Sequence, residues 1–185
     1  IRAIQRASEL GIDTNISINF MPNAIYEPRN CIRTTMLAAE RYRFPTDAII
    51  FEFLETEAIS DIGFVRRIVD EYRELGLKTA LDDFGAGHAG LNHIIQIEPD
   101  IVKLDRLVVR DIHTDLRRAA TVKAMVTMCR DLGIMLIAEG IEKPEELSAI
   151  EDLGIRHVQG FLLARPQLEV IATASQFPLP MPATA

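Results

Sequence analysis

Six short apolar runs each carry polar or charged residues near their ends: Asn19, Glu52 with Glu55, Asp82 with Asp83, Lys103 with Asp105, Glu139 with Glu142, and Gln159. A buried carboxylate without a partner costs several kcal/mol, so acids converging on one mouth call for cations or protonation. Oxygen ligands from Asn, Asp and Glu select hard ions such as Mg, Mn or Ca over zinc. Consecutive strand residues point to opposite faces, but at a strand end that turns into a Gly-rich loop Asp82 and Asp83 can both aim at the mouth. Two ions ~3.5–4 Å apart, bridged by one carboxylate, would polarise a phosphate and activate a water for in-line attack. Lys103 inside such an acidic ring reads as a charge-balancing structural lysine or as an active group that orients water and stabilises developing negative charge. Any one of these acids alone reads equally well as a helix N-cap or a surface ion pair. Their repetition over six strands favours a site.

The elements that must position them alternate along the chain. Strands are predicted at Asn15 to Phe20, Ala48 to Phe53, Lys78 to Asp83, Ile101 to Asp105, Ile134 to Glu139 and His157 to Phe161, each apolar enough to be buried on both faces. Between them apolar residues recur at helical spacing, as in Ile32, Met36, Leu37 and Ala39, or Val122, Met125 and Val126. Gly76, Gly133 and Gly154 follow three of these helices where a left-handed cap is wanted, and Gly11 follows a helix over Ile1 to Leu10. This alternation is that of βα units feeding a parallel sheet, open or closed, with chemistry at the carboxyl ends of the strands. After Pro166 the pattern dissolves, and Pro178, Pro180 and Pro182 mark a tail. The expected organisation is one domain over 1–170 and a Pro-rich tail over 171–185.

Composition excludes several classes. With 185 residues, 48% hydrophobic and 25% charged, the chain is an ordinary globular domain rather than a disordered or disulfide-built one. The net charge of −7 argues against a nucleic-acid polymer as partner. No apolar run reaches the ~20 residues of a membrane span and no signal pattern opens the chain, so a cytoplasmic location is expected. Cys31 and Cys129 stand without a CxxC partner and read as reduced, packed thiols, and the four histidines show no ligand spacing, though His88 lies where it could touch a ligand. Asn15-Ile16-Ser17 matches a glycosylation sequon within a buried strand.

Two other readings compete. Gly85 to Gly90 satisfies GxGxxG after a strand, with Asp105 downstream like a ribose-binding acid. Asp82 and Asp83 beside a pyrophosphate would repel it, and the acids on the other strands would have no role. An enolase-like barrel with one Mg and Lys103 as the base is the second, although the adjacent Asp pair and Asn19 fit it less well.

Taken together, the segments ISINFMP, FEFLETE, DDFG, VKLDR, AEGIE and QGFLLARP resemble the EAL domain, a TIM-barrel phosphodiesterase family that acts on the bacterial second messenger cyclic di-GMP; the resemblance covers Ile1 to Pro166. It implies a TIM-type (β/α) barrel and hydrolysis of one phosphodiester to give linear pGpG. Asn19, Glu52, Asp82, Asp83 and Glu139 would serve two Mg or Mn ions, with Asp82 bridging. Lys103, with Glu139, would be catalytic, holding or activating the attacking water. Gln159, Asp105, Arg165 and Pro166 would lie on the substrate side. Glu55 and Glu142 would steady loops, Glu55 the one after Asp83 that links dimerisation to the metals. The resemblance also implies a homodimer and a sensor domain in the parent protein.

Two departures stand out. Glu-Ala-Leu itself is absent, so about six βα units of an incomplete barrel are expected. The leading strands and one ligand Glu would then be missing, with an open edge that favours self-association and weak or silent activity. The loop after DDFG also carries Ala86, His88, Ala89 and Gly90 where the family usually has hydroxyl side chains. These departures leave a second reading, a domain that binds the nucleotide or a partner without hydrolysing it.

Overall fold

The alternation of helices and strands predicted from the sequence is present. The computed structural model describes residues 1–57, 59, 61–87 and 90–167, so His88 and the expected tail over 171–185 lie outside the described residues. The chain divides into two compact units, Ile1–Val102 and Lys103–Ala185.

The first unit runs α1 (Arg2–Glu9), β1 (Ile16–Asn19), α2 (Pro28–Tyr42), β2 (Ile49–Leu54), α3 (Ile62–Glu74), β3 (Lys78–Phe84) and α4 (Gly90–Ile97). Pro28 opens α2, where its fixed φ suits the first turn and its missing N–H is not needed. Asp61 caps α3 by accepting the Phe64 N–H at 2.9 Å. Gly76 follows α3 with φ +79°, which a residue without Cβ adopts without strain.

The strands of this unit are parallel in the order β1-β2-β3, with Asn19 opposite Glu52 and Glu52 opposite Ala80. Because side chains alternate, Phe51 and Phe53 take the face that Glu52 does not. Phe20 joins them, its ring centroid 5.8 Å from that of Phe51 and 5.6 Å from that of Phe53, while Tyr72 of α3 lies 5.1 Å from Phe51. These rings, with Ile32, Ile49 and Ile68, fasten the helices to one face of the sheet. Asn19, Glu52 and Asp82, two residues beyond Ala80, are left to the other. β2 is buried along nearly its whole length, as predicted, but β1 alternates between half-buried and exposed residues. Among the described residues β1 pairs with β2 alone, so Ser17 and Asn19 keep contact with solvent.

A fourth strand, β4 (Ile101–Leu104), crosses from the first unit into the second, which continues with α5 (Arg106–Val109), α6 (Leu116–Leu132), β5 (Met135–Ala138), α7 (Pro144–Asp152) and β6 (His157–Val158). β5 and β6 are parallel, with Ala138 opposite Val158. The Glu139 N–H donates to the Leu104 carbonyl at 3.1 Å, which joins the ends of β4 and β5. Leu104, Val122, Ala138, Ile141 and Ile150 are among the buried apolar residues of this unit.

Every strand differs from its predicted bounds by at least one residue, and at two of the ends the physical reason is plain. Asp105 does not extend β4; its carboxylate accepts the Leu107 N–H at 2.7 Å and starts α5. β6 is two residues long because Gly160 lies against the backbone of Ile141, where any Cβ would collide. The chain turns there, and the Leu162 N–H donates to the Ile141 carbonyl. Among the described residues, no helix is long and apolar enough to cross a membrane.

Candidate functional site

In the first unit the chemistry gathers at the carboxyl ends of β1, β2 and β3. The Phe20 N–H donates to the Glu52 carbonyl at 2.9 Å and locks the register that sets Asn19 beside Glu52. Glu52 is buried, on the face of β2 opposite that of Phe51 and Phe53. Asp83 has φ +55°, a conformation that costs a residue with a Cβ about 1–3 kcal/mol unless its surroundings impose it. This left-handed turn breaks the strand alternation, and carboxylate oxygens of Asp82 and Asp83 lie within 4.8 Å of each other. Two like charges so close are mutually destabilising, and an all-oxygen donor set of this kind suits a hard divalent cation.

The loop after β3 is held from beneath. Glu55, 2% exposed, accepts the Gly85 N–H at 2.8 Å and the Gly87 N–H at 3.1 Å through Oε2, and the Gly90 N–H at 2.8 Å through Oε1. Burial works to raise its pKa, but the three amides and nearby His93 outweigh that and hold it below the ordinary glutamate value. The GxGxxG amides that would have cradled a dinucleotide pyrophosphate are therefore occupied by a carboxylate of the chain itself. Gly87 is needed for this approach, since a Cβ there would stand 3.1 Å from the Glu55 carboxyl carbon.

In the second unit Lys103 of β4 is 6% exposed, and its Nζ lies 2.7 Å from an oxygen of Glu139, just past β5. Charge pairing of this quality is what makes a buried lysine tolerable beside the half-buried Glu139. Glu142 pairs with Arg106 at 2.9 Å. Gln159 is exposed, and the guanidinium of Arg165 sits 4.5 Å above the Phe161 ring. Pro166 is exposed beyond it.

Glu146 is a residue that the strand-end pattern does not single out. It is 1% exposed, and its carboxylate accepts the N–H groups of Asp111, Glu142 and Lys143 at 2.9, 3.1 and 3.2 Å. Burial pushes its pKa up, but the three amides and the Lys143 charge bring it below the ordinary value. The readable signal is Lys143-Pro144-Glu145-Glu146, with Pro at the first helical position and Glu at the third.

Comparison with known proteins places this geometry. The chain is 30% identical over 165 residues to the cyclic di-GMP phosphodiesterase RocR of Pseudomonas aeruginosa, covering 89% of this chain and 42% of that protein. Among solved structures it matches a standalone versatile EAL protein from Vibrio cholerae O395 in its c-di-GMP-bound form with TM-score 0.86 and 44% identity, over 90% of this chain and 70% of that one. It also matches a manganese and cyclic di-GMP complex of BlrP1 from Klebsiella pneumoniae with TM-score 0.84 and 36% identity, over 90% of this chain and 43% of that one. The chain spans about a fifth to two fifths of the length of the curated relatives it matches. These structural matches identify its six strands as part of a TIM-type (β/α) barrel. The EAL domain family model matches residues 1–166, and the chain belongs to the EAL domain family.

Proposed function

We propose that the protein hydrolyses cyclic di-GMP to linear pGpG, using two Mg or Mn ions served by Asn19, Glu52, Asp82, Asp83 and Glu139. The observation that carries the reading is the Asp82–Asp83 turn, in which a left-handed Asp83 brings two carboxylates within 4.8 Å. That arrangement is costly unless positive charge offsets it. When bound, such ions polarise a phosphate and lower the pKa of water.

The residues of the chain supply the rest. Lys103, buried against Glu139, orients the attacking water and stabilises the charge that develops on the phosphate. The oxygen of water joins phosphorus, the bond from phosphorus to the 3′ oxygen breaks, and a proton passes to that oxygen. Gln159, Asp105, Arg165 and Pro166 are assigned to the substrate side. Glu55 and Glu142 hold the loops after β3 and β5. A second copy of the chain and a sensor domain are the partners this reading carries with it.

Incubating the protein with cyclic di-GMP and Mn, with chromatography of the products, tests the proposal. Formation of pGpG is expected, with a loss of about 100-fold or more in the Asp82→Asn variant. Tight binding of the nucleotide with no pGpG would make the domain a binding module, and neither binding nor product would overturn both readings. A titration that ends at one ion per chain would favour the enolase-like arrangement.

A further inference from the structure

We infer that Glu146 is a positioning residue that holds the Lys103–Glu139 pair in place by clamping together the two loops that leave β4 and β5; the inference rests on the proposed hydrolysis. The residues of the clamp all lie in the second unit. Oε1 of Glu146 accepts the Asp111 N–H, which follows α5 and so belongs to the segment leaving β4. Oε2 accepts the Glu142 and Lys143 N–H groups, on the segment leaving β5. Lys143 Nζ reaches back to Asp111 at 2.5 Å, and Arg106 pairs with Glu142 at 2.9 Å. Arg106 also lies across Gly140, whose φ of +69° and missing Cβ leave room for that side chain. Between these ties sits the Glu139 N–H bond to Leu104, directly beside the 2.7 Å contact of Lys103 with Glu139. The same loop receives the Gln159 segment, because the Ile141 N–H donates to the Gln159 carbonyl at 3.1 Å.

A helix cap alone does not require this arrangement. Glutamate at the third position of a helix serves as a cap by accepting the N-cap amide, and glutamine does so equally well. Glu146 has a further acceptor bond to an amide 35 positions away and is 1% exposed. Both carboxylate oxygens are committed to donors, so a side-chain amide in its place would turn an NH2 group toward one of them.

The test is Glu146→Gln, with Lys143→Ala as a milder break of the same clamp, in the full chain. Amide hydrogen exchange and steady-state hydrolysis of cyclic di-GMP with Mn are the readouts, and thermal melting checks that both variants are folded. In Glu146→Gln, exchange is expected to rise at least tenfold at Asp111 and at Glu139, while Met125 in α6 stays protected. The kcat should fall about tenfold or more with KM changed less than threefold, and Lys143→Ala should shift both in the same direction by less. Faster exchange at Asp111 with Glu139 unaffected would overturn the inference, as would an unchanged kcat. If the wild-type protein makes no pGpG, the proposed hydrolysis fails, and exchange at Glu139 still decides the role of Glu146.

Discussion

Glu55 and Glu146 solve the same problem in different units and by different reach. Each is almost fully buried, each accepts three backbone N–H bonds, and in each those amides overcome the burial that would raise its pKa. The donors of Glu55 lie 30–35 positions away in a glycine-rich loop, whereas two of the three donors of Glu146 are three and four positions away in its own helix start. A carboxylate whose donors are all remote depends on the strand pairing that brings them near. One with local donors keeps part of its work whatever the rest of the unit does.

The largest expected consequence is in stability. Glu55→Ala orphans three remote amides at once and should destabilise the chain by about 3 kcal/mol, at about 1 kcal/mol per amide, the low end for an unpaired group, because the glycines that carry them are half-buried or exposed. Glu146→Ala should cost about 1–2 kcal/mol, because exposed Lys143 lets its amide find water as at any frayed helix start. Urea denaturation measures both, and equal losses would break the contrast.

Acid should separate the two regions next. Both carboxyls are held below the ordinary glutamate value, so each contributes stability that is complete above ~4.3 and is lost as pH falls through its depressed native value. The Glu55 region also contains His93, buried in α4, whose pKa is lowered by burial against an opposing pull from Glu55. A histidine kept neutral in the native state costs stability as pH drops below ~6.5, where the unfolded chain protonates first. Stability of the wild type measured by urea titration should therefore begin to fall near pH ~6.5. His93→Gln should flatten the curve down to about pH 5 and leave the steeper carboxylate loss below it. No flattening would remove His93 from the account.

The parts of this fold that are legible in the sequence are those set by periodicity and by local backbone demands. The strand cores, the helix stripes and glycine caps such as Gly76 follow from residue type alone. The gathering of Asn19, Glu52 and Asp82 at strand ends is legible because a polar residue inside an apolar run contributes nothing to packing and must find a partner or a ligand. Glu146 is hidden for the opposite reason: an acidic residue in the first turn of a helix is ordinary, and nothing local shows that Asp111 will deliver an amide to it. The early end of β6 is equally hidden, because it depends on Gly160 meeting the backbone of Ile141. Asp105 misleads because a strand-ending acid and an N-cap look alike until the next residues turn.

The smallest expected effect uses the two cysteines as reporters, one in each unit. Cys31 in α2 is half-buried, while Cys129 in α6 is buried and its thiol is pushed up to about 11. Only the thiolate attacks an alkylating reagent, so at about pH 8 Cys129 has about a thousandth of its population in reactive form before access is counted. Native protein should lose one thiol readily and hold the second at least about tenfold longer, with no change in stability or activity. Glu55→Ala should speed Cys31 relative to Cys129, and Glu146→Ala the reverse, because each carboxylate ties down loops of its own unit. Equal acceleration of both thiols in both variants would mean that the chain opens as one cooperative body, and the difference in reach between the two glutamates would then be invisible to stability.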